Sequence, residues 1–134
     1  MTQPAWNQKL EAFSVIQKKA IIEELQKIVQ NGVYGSDYTV APREKNKHLR
    51  KRYCVTDEKI KEILLSLQVD HFIKVEDTNH PEHPGDIVCK FKCSYPLIPK
   101  WKEDVDYEDV PLYIKMVKPE VDHVLFIISF HEDE

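Results

Sequence analysis

A period-two alternation of apolar and polar residues, recurring in three runs near the C-terminus, limits the fold of this chain more than any other feature. In LYIKM, residues 112–116, Leu112, Ile114 and Met116 fall on one side of an extended backbone, and Tyr113 and Lys115 on the other. IVCKFKC (87–93) repeats the pattern, with Ile87, Cys89, Phe91 and Cys93 opposing Val88, Lys90 and Lys92. In the last run Val124, Phe126, Ile128 and Phe130 oppose His123, Leu125, Ile127, Ser129 and His131. The pattern predicts three strands, the last two forming a hairpin about the turn KPEVD, and VDHFIKVED (69–77) predicts an additional edge or turn-flanked strand.

The N-terminal part has a different period. Trp6, Leu10, Phe13, Ile16, Ala20, Ile21, Leu25, Ile28 and Val29 recur at helical spacings, and Asn31 and Gly32 supply a stop near Gln30. In VTDEKIKEILLSLQ, Thr56 is the expected N-cap, Asp57 and Glu58 suit the first turn, and Ile60, Ile63, Leu64 and Leu67 share a face. A β-like VYGSDYTVA lies between them. NHPEHPGD (79–86) reads as a loop, and the acidic, proline-bearing stretch 94–111 as an excursion. These elements predict an α+β fold: two N-terminal helices packed on one face of a mostly antiparallel sheet, in a single domain spanning 1–134.

On such a sheet the face left open gathers Lys90, Lys92, Tyr113, Lys115, Ser129 and His131. Those groups suit RNA cleavage without a metal or other cofactor. Attack by a ribose 2′-hydroxyl on its own phosphodiester needs a base for that proton, cations for the phosphorane, and an acid for the leaving 5′-oxygen. A solvated face with lysines for solubility has the same composition.

The net charge of −4 conceals an uneven distribution: residues 1–74 carry 13 Lys and Arg against 9 Asp and Glu, and residues 75–134 carry 6 against 14. Much of the positive charge lies in PREKNKHLRKRY (42–53), where a short helix would align Arg43, Lys47 and Arg50 or Lys51 as a polyanion-sized stripe. His80, His83, Cys89 and Cys93 resemble zinc-ligand spacing, but one strand would hold Cys89 and Cys93 about 13 Å apart, too far to share an ion, so no metal site is expected. Three cysteines, no export-signal layout and no long apolar run predict a soluble, cytoplasmic protein with free thiols and no membrane contact.

Five short pieces, PREKN (42–46), IKEILLSLQVDHFIK (60–74), HPGDIV (83–88), LYIKM (112–116) and IISFHE (127–132), occur in an order that resembles the MqsR-type toxins of bacterial type II toxin–antitoxin pairs. The resemblance implies a RelE-like fold and a ribosome-independent endoribonuclease that cuts single-stranded mRNA and is restrained by a cognate antitoxin protein. The family's functional lysine falls on Lys74 and its strand tyrosine on Tyr113. Its glutamine falls near Cys89 or Lys90, where this chain has none, and the chain is acidic where the family is basic. The combined expectation places Lys74, Tyr113, Lys115 and His131 in catalysis, and Arg43, Lys47, Arg50, Lys90 and Lys92 on RNA. A toxin-like domain that binds RNA or protein without cutting is the alternative.

Overall fold

The computed structural model describes residues 15–77, 86–101, 106–119 and 124–133. Among these residues three α-helices, α1 (Val15–Asn31), α2 (Glu44–Arg52) and α3 (Asp57–Leu65), accompany five strands: β1 (Tyr38–Val40), β2 (Phe72–Asp77), β3 (Ile87–Leu97), β4 (Glu108–Lys118) and β5 (Leu125–Glu132). The sheet runs β1-β5-β4-β3-β2, antiparallel throughout except that β1 lies parallel to β5. The α+β expectation therefore holds in its coarse form.

The placement of the helices differs from that expectation. α1 and α3 pack together over one sheet face, where Ile22, Leu25, Val29, Leu64 and Leu67 close on Phe91 and Met116. The third helix, α2, docks against β5. β1 pairs with β5 only as far as Ile127, apart from the Ala41 N–H that donates to the Ile127 carbonyl, so the outer edge of β5 beyond it needs other partners. Asn46 of α2 supplies them: its Nδ2 donates to the Ile128 carbonyl at 2.9 Å, and its Oδ1 accepts from the Phe130 N–H at 2.8 Å. One carboxamide stands in for one peptide unit of a neighbouring strand.

Local signals set the helix limits. The Thr56 side chain accepts from the Lys59 N–H at 3.1 Å and caps α3 as expected. Its far end is held by Gln26 of α1, whose Nε2 donates to the carbonyls of Leu64, Leu65 and Leu67. After α1 the chain turns at Gly32, where an added Cβ would lie 2.5 Å from the Ile28 carbonyl oxygen and 2.6 Å from the Asp37 Cβ. The expected apolar stripe of α1 is displaced: Ile21, Ile22, Leu25 and Val29 are buried, whereas Ile16 is 79 % exposed. Trp6, Leu10 and Phe13 lie outside the described residues.

The stretch 94–111 is also corrected. Ser94–Leu97 extends β3 and Glu108–Pro111 begins β4, paired down to Leu97 opposite Glu108, so the connection between strands is shorter than the sequence suggests. Pro96 is tolerated because β2 pairs with β3 no further than Phe91, leaving that part of β3 as an edge. Residues 102–105, most of the 79–86 loop and most of the KPEVD turn lie outside the described residues.

Two irregularities sort the sheet's faces. β2 inserts Ile73 between Phe72, opposite Phe91, and Lys74, opposite Lys90. Phe72 and Val75 can then both enter the core while Lys74 and Glu76 face the other way. In β5 the register shifts across Ile128: Lys115 opposes Ser129, and Met116 opposes Ile127. Strict alternation puts Leu125 and Ile127 on the same side as Ser129 and His131. The bulge turns them into the core, where both are fully buried, and leaves Phe126, expected inside, 42 % exposed on the opposite face.

Candidate functional site on the open sheet face

Directly opposed residues of neighbouring strands point to the same side of a sheet, so register alone defines rows on the face away from α1 and α3. One row runs Lys92–Tyr113–His131 across β3, β4 and β5. The next runs Lys74–Lys90–Lys115–Ser129 across β2 to β5. Neighbours in a row are about 5 Å apart in backbone spacing and the rows about 7 Å apart. Lys74, Tyr113, Lys115 and His131, the four residues predicted to be catalytic, thus share one face with Lys90 and Lys92. Each of the six is at least partly exposed.

Tyr113 and His131 are in contact, with ring centroids 5.6 Å apart and planes tilted by 43°. The Nδ1 of His131 lies 2.8 Å from the backbone carbonyl of Glu132. A carbonyl can only accept, so Nδ1 carries the hydrogen and Nε2 presents the lone pair of the neutral ring. The ring is thereby fixed as a base through Nε2, or an acid through the same atom once protonated.

The lysines are not equivalent. Glu76 bridges two of them, with Oε2 2.6 Å from Lys74 Nζ and Oε1 3.0 Å from Lys90 Nζ. Hydrogen bonds from Lys74 and then Lys90 hold the Glu76 carboxyl below the usual range, against the opposing effect of its burial. The hydrogen bond and charge of Glu76 raise Lys74, and Tyr113 adds a smaller push in the same direction. Lys92 faces Asp133 at 3.4 Å. Lys115 has no carboxylate partner among the described residues. Glu76 is not among the groups expected on this face, although K-V-E on a strand puts Lys74 and Glu76 on the same side.

His131 also borders a cleft of about 260 Å³ between α2 and the end of β5, lined by Glu44, Lys45, His48, Leu49, His131 and Glu132. Glu132, on its lining, is ion-paired with Arg52 at 2.6 Å. At 100° per residue, Lys45, His48 and Arg52 form one stripe of α2, and Arg43, Lys47 and Arg50 lie on nearly the opposite side. The structure does not bring that second stripe to the cleft. Arg43 and Lys47 are exposed, while Arg50 is tied to Asp57 at 3.0 Å and lies over the Tyr34 ring. The 45–48–52 spacing was the available signal for the correct side.

Cys89 and Cys93 lie four residues apart on β3, which sets them in different positions along the strand. Burial pushes the Cys89 thiol up to about 12 and the Cys93 thiol up to about 11, which disfavours the thiolate a metal would need. His80 and His83 lie outside the described residues, and no metal-sized group of His, Cys, Asp and Glu occurs among those described. No helix of the described residues is long and apolar enough to cross a membrane. No protein family, curated protein or solved structure matches the chain.

Proposed function

We propose that this protein is a toxin-class endoribonuclease that cuts single-stranded RNA on its open sheet face by acid–base chemistry, and that a cognate antitoxin restrains it in the cytoplasm. The observation that carries this reading is the juxtaposition of the Lys92–Tyr113–His131 row with the Lys74–Lys90–Lys115 row. The order of the five sequence pieces that resemble MqsR-type toxins, and with it the RelE-like reading of the fold, points the same way.

In this scheme His131 Nε2 takes the proton from the ribose 2′-hydroxyl as O2′ bonds to phosphorus. Lys115, which has no carboxylate partner among the described residues, neutralises the charge that develops on the phosphorane, and Lys74 and Lys92 hold the flanking phosphates. The bond from phosphorus to the 5′-oxygen then breaks, that oxygen takes the proton of the Tyr113 hydroxyl, and the His131 imidazolium beside it returns its proton to the phenolate. Tyr113, held against His131, also positions the scissile phosphate. The products are a 2′,3′-cyclic phosphate and a 5′-hydroxyl.

The test is incubation of the purified protein with unstructured RNA in EDTA, with the ends mapped. Discrete cuts carrying cyclic phosphate, lost in His131→Ala, support the reading; intact RNA refutes it. The alternative, a toxin-like domain that binds without cutting, draws on the fact that Glu76 and Asp133 engage three of the four lysines. Salt-sensitive retention of RNA without cuts is its signature.

A further inference from the structure

A third row on the same face is apolar over most of its width. Past the Lys74–Lys90–Lys115–Ser129 row, register aligns Val88, Val117 and Phe126 across β3, β4 and β5, with Thr39 of β1 beside Phe126 and Glu76 at the far end on β2. Phe126 is 42 % exposed and Val124, just before β5, is 44 % exposed. A single exposed apolar residue needs no explanation. Here, however, an aromatic ring lies in a contiguous apolar row one step from the lysines. The β5 bulge that buries Leu125 and Ile127 is what puts the ring there.

The structure assigns Phe126, backed by Val117, as a stacking platform for one nucleobase of a single-stranded RNA whose adjoining phosphate lies along the Lys115 row. This deepens the ribonuclease reading and rests on it. The occupant follows from the charges. Lys115 carries no carboxylate partner among the described residues, and it stands one row from the ring, so a ligand covering both needs an anion and a flat apolar face in neighbouring units. A nucleotide has both, and stacking on an aromatic ring tolerates any base. Glu76 lies three strands away, about 14 Å from β5, and does not oppose a base at Phe126.

The experiment measures binding, so it does not depend on cleavage. A fluorescein-labelled oligouridine of about ten nucleotides is titrated into the full chain carrying His131→Ala, with Phe126 intact, changed to Ala, or changed to Trp. We expect Phe126→Ala to weaken binding about five- to 100-fold, the span for loss of one stacked base, and Phe126→Trp to retain it with RNA-dependent quenching beyond that of Trp6 and Trp101. Because Phe126 is partly exposed, these variants should keep the parent's urea midpoint. Equal affinity for the Phe and Ala forms overturns the platform while leaving cleavage by the wild type to be judged separately. Absence of RNA binding by every form also overturns it. RNA cleavage by wild type with an unchanged Phe126→Ala affinity removes the platform but not the enzyme.

Discussion

Asn46 meets Phe130 as a strand would: its side-chain oxygen accepts the Phe130 N–H at 2.8 Å while its amide nitrogen bonds the carbonyls of Ile128 and Ala41, each at 2.9 Å. The residue is 5 % exposed, so these backbone groups have little access to water as a substitute. Asn46 thereby fixes α2 to β5 and sets one wall of the cleft beside His131.

Replacing Asn46 by Ala leaves a buried N–H unpaired and removes a donor from two carbonyls. A loss of about 2–4 kcal/mol is expected, seen as a lower urea midpoint at unchanged slope. Asn46→Asp keeps the acceptor but turns the donor into a second oxygen facing two carbonyls, and should cost at least as much at neutral pH. A midpoint within experimental error of wild type for both variants would refute the strand-substitute role.

Lys74→Ala, Tyr113→Phe and His131→Ala each remove a partly exposed group, so the far-ultraviolet spectrum and melting behaviour should change little. Cleavage of unstructured RNA should fall at least about 100-fold for His131→Ala, in the range associated with losing a general acid or base. Growth arrest on expression should disappear in Lys74→Ala and Tyr113→Phe. Retained arrest in both discards their assignment.

Glu76 makes a prediction in pH and another in salt. Its folded-state carboxyl lies below its unfolded value, so the stabilisation is complete above the unfolded range and is lost as pH falls through the depressed folded value. Acid urea titrations should therefore show a steeper decline for wild type than for Glu76→Gln. The same variant frees Lys74 and Lys90 for phosphate. Its RNA affinity should rise and the slope of log K against log salt should steepen by about one to two.

The thiols divide by burial. Cys54 is exposed, whereas Cys89 is buried with its thiol pushed up to about 12 and Cys93 is half-buried with its thiol at about 11. An alkylating reagent at pH 8 should label Cys54 first, Cys93 slowly and Cys89 only on unfolding. Mass spectrometry of the labelled peptides gives the order, and early labelling of Cys89 contradicts it.

Alternation in 87–93 and 112–116 determined which side chains of β3 and β4 share a face, because a strand's period is a local property of its backbone. The cap at Thr56 and the stop at Gly32 were equally local, and so the two amphipathic helices were legible in outline. Register, by contrast, belongs to pairs of strands. The bulges at Ile73 and Ile128 exist because Phe72, Val75, Leu125 and Ile127 all gain by entering one core, and no single segment records that bargain. Only the tertiary structure could place Glu76 between two lysines of different strands, or turn the Lys45–His48–Arg52 side of α2 toward His131. Those arrangements depend on which element lies next to which, and it is the buried carboxamide of Asn46 that holds that helix against the sheet.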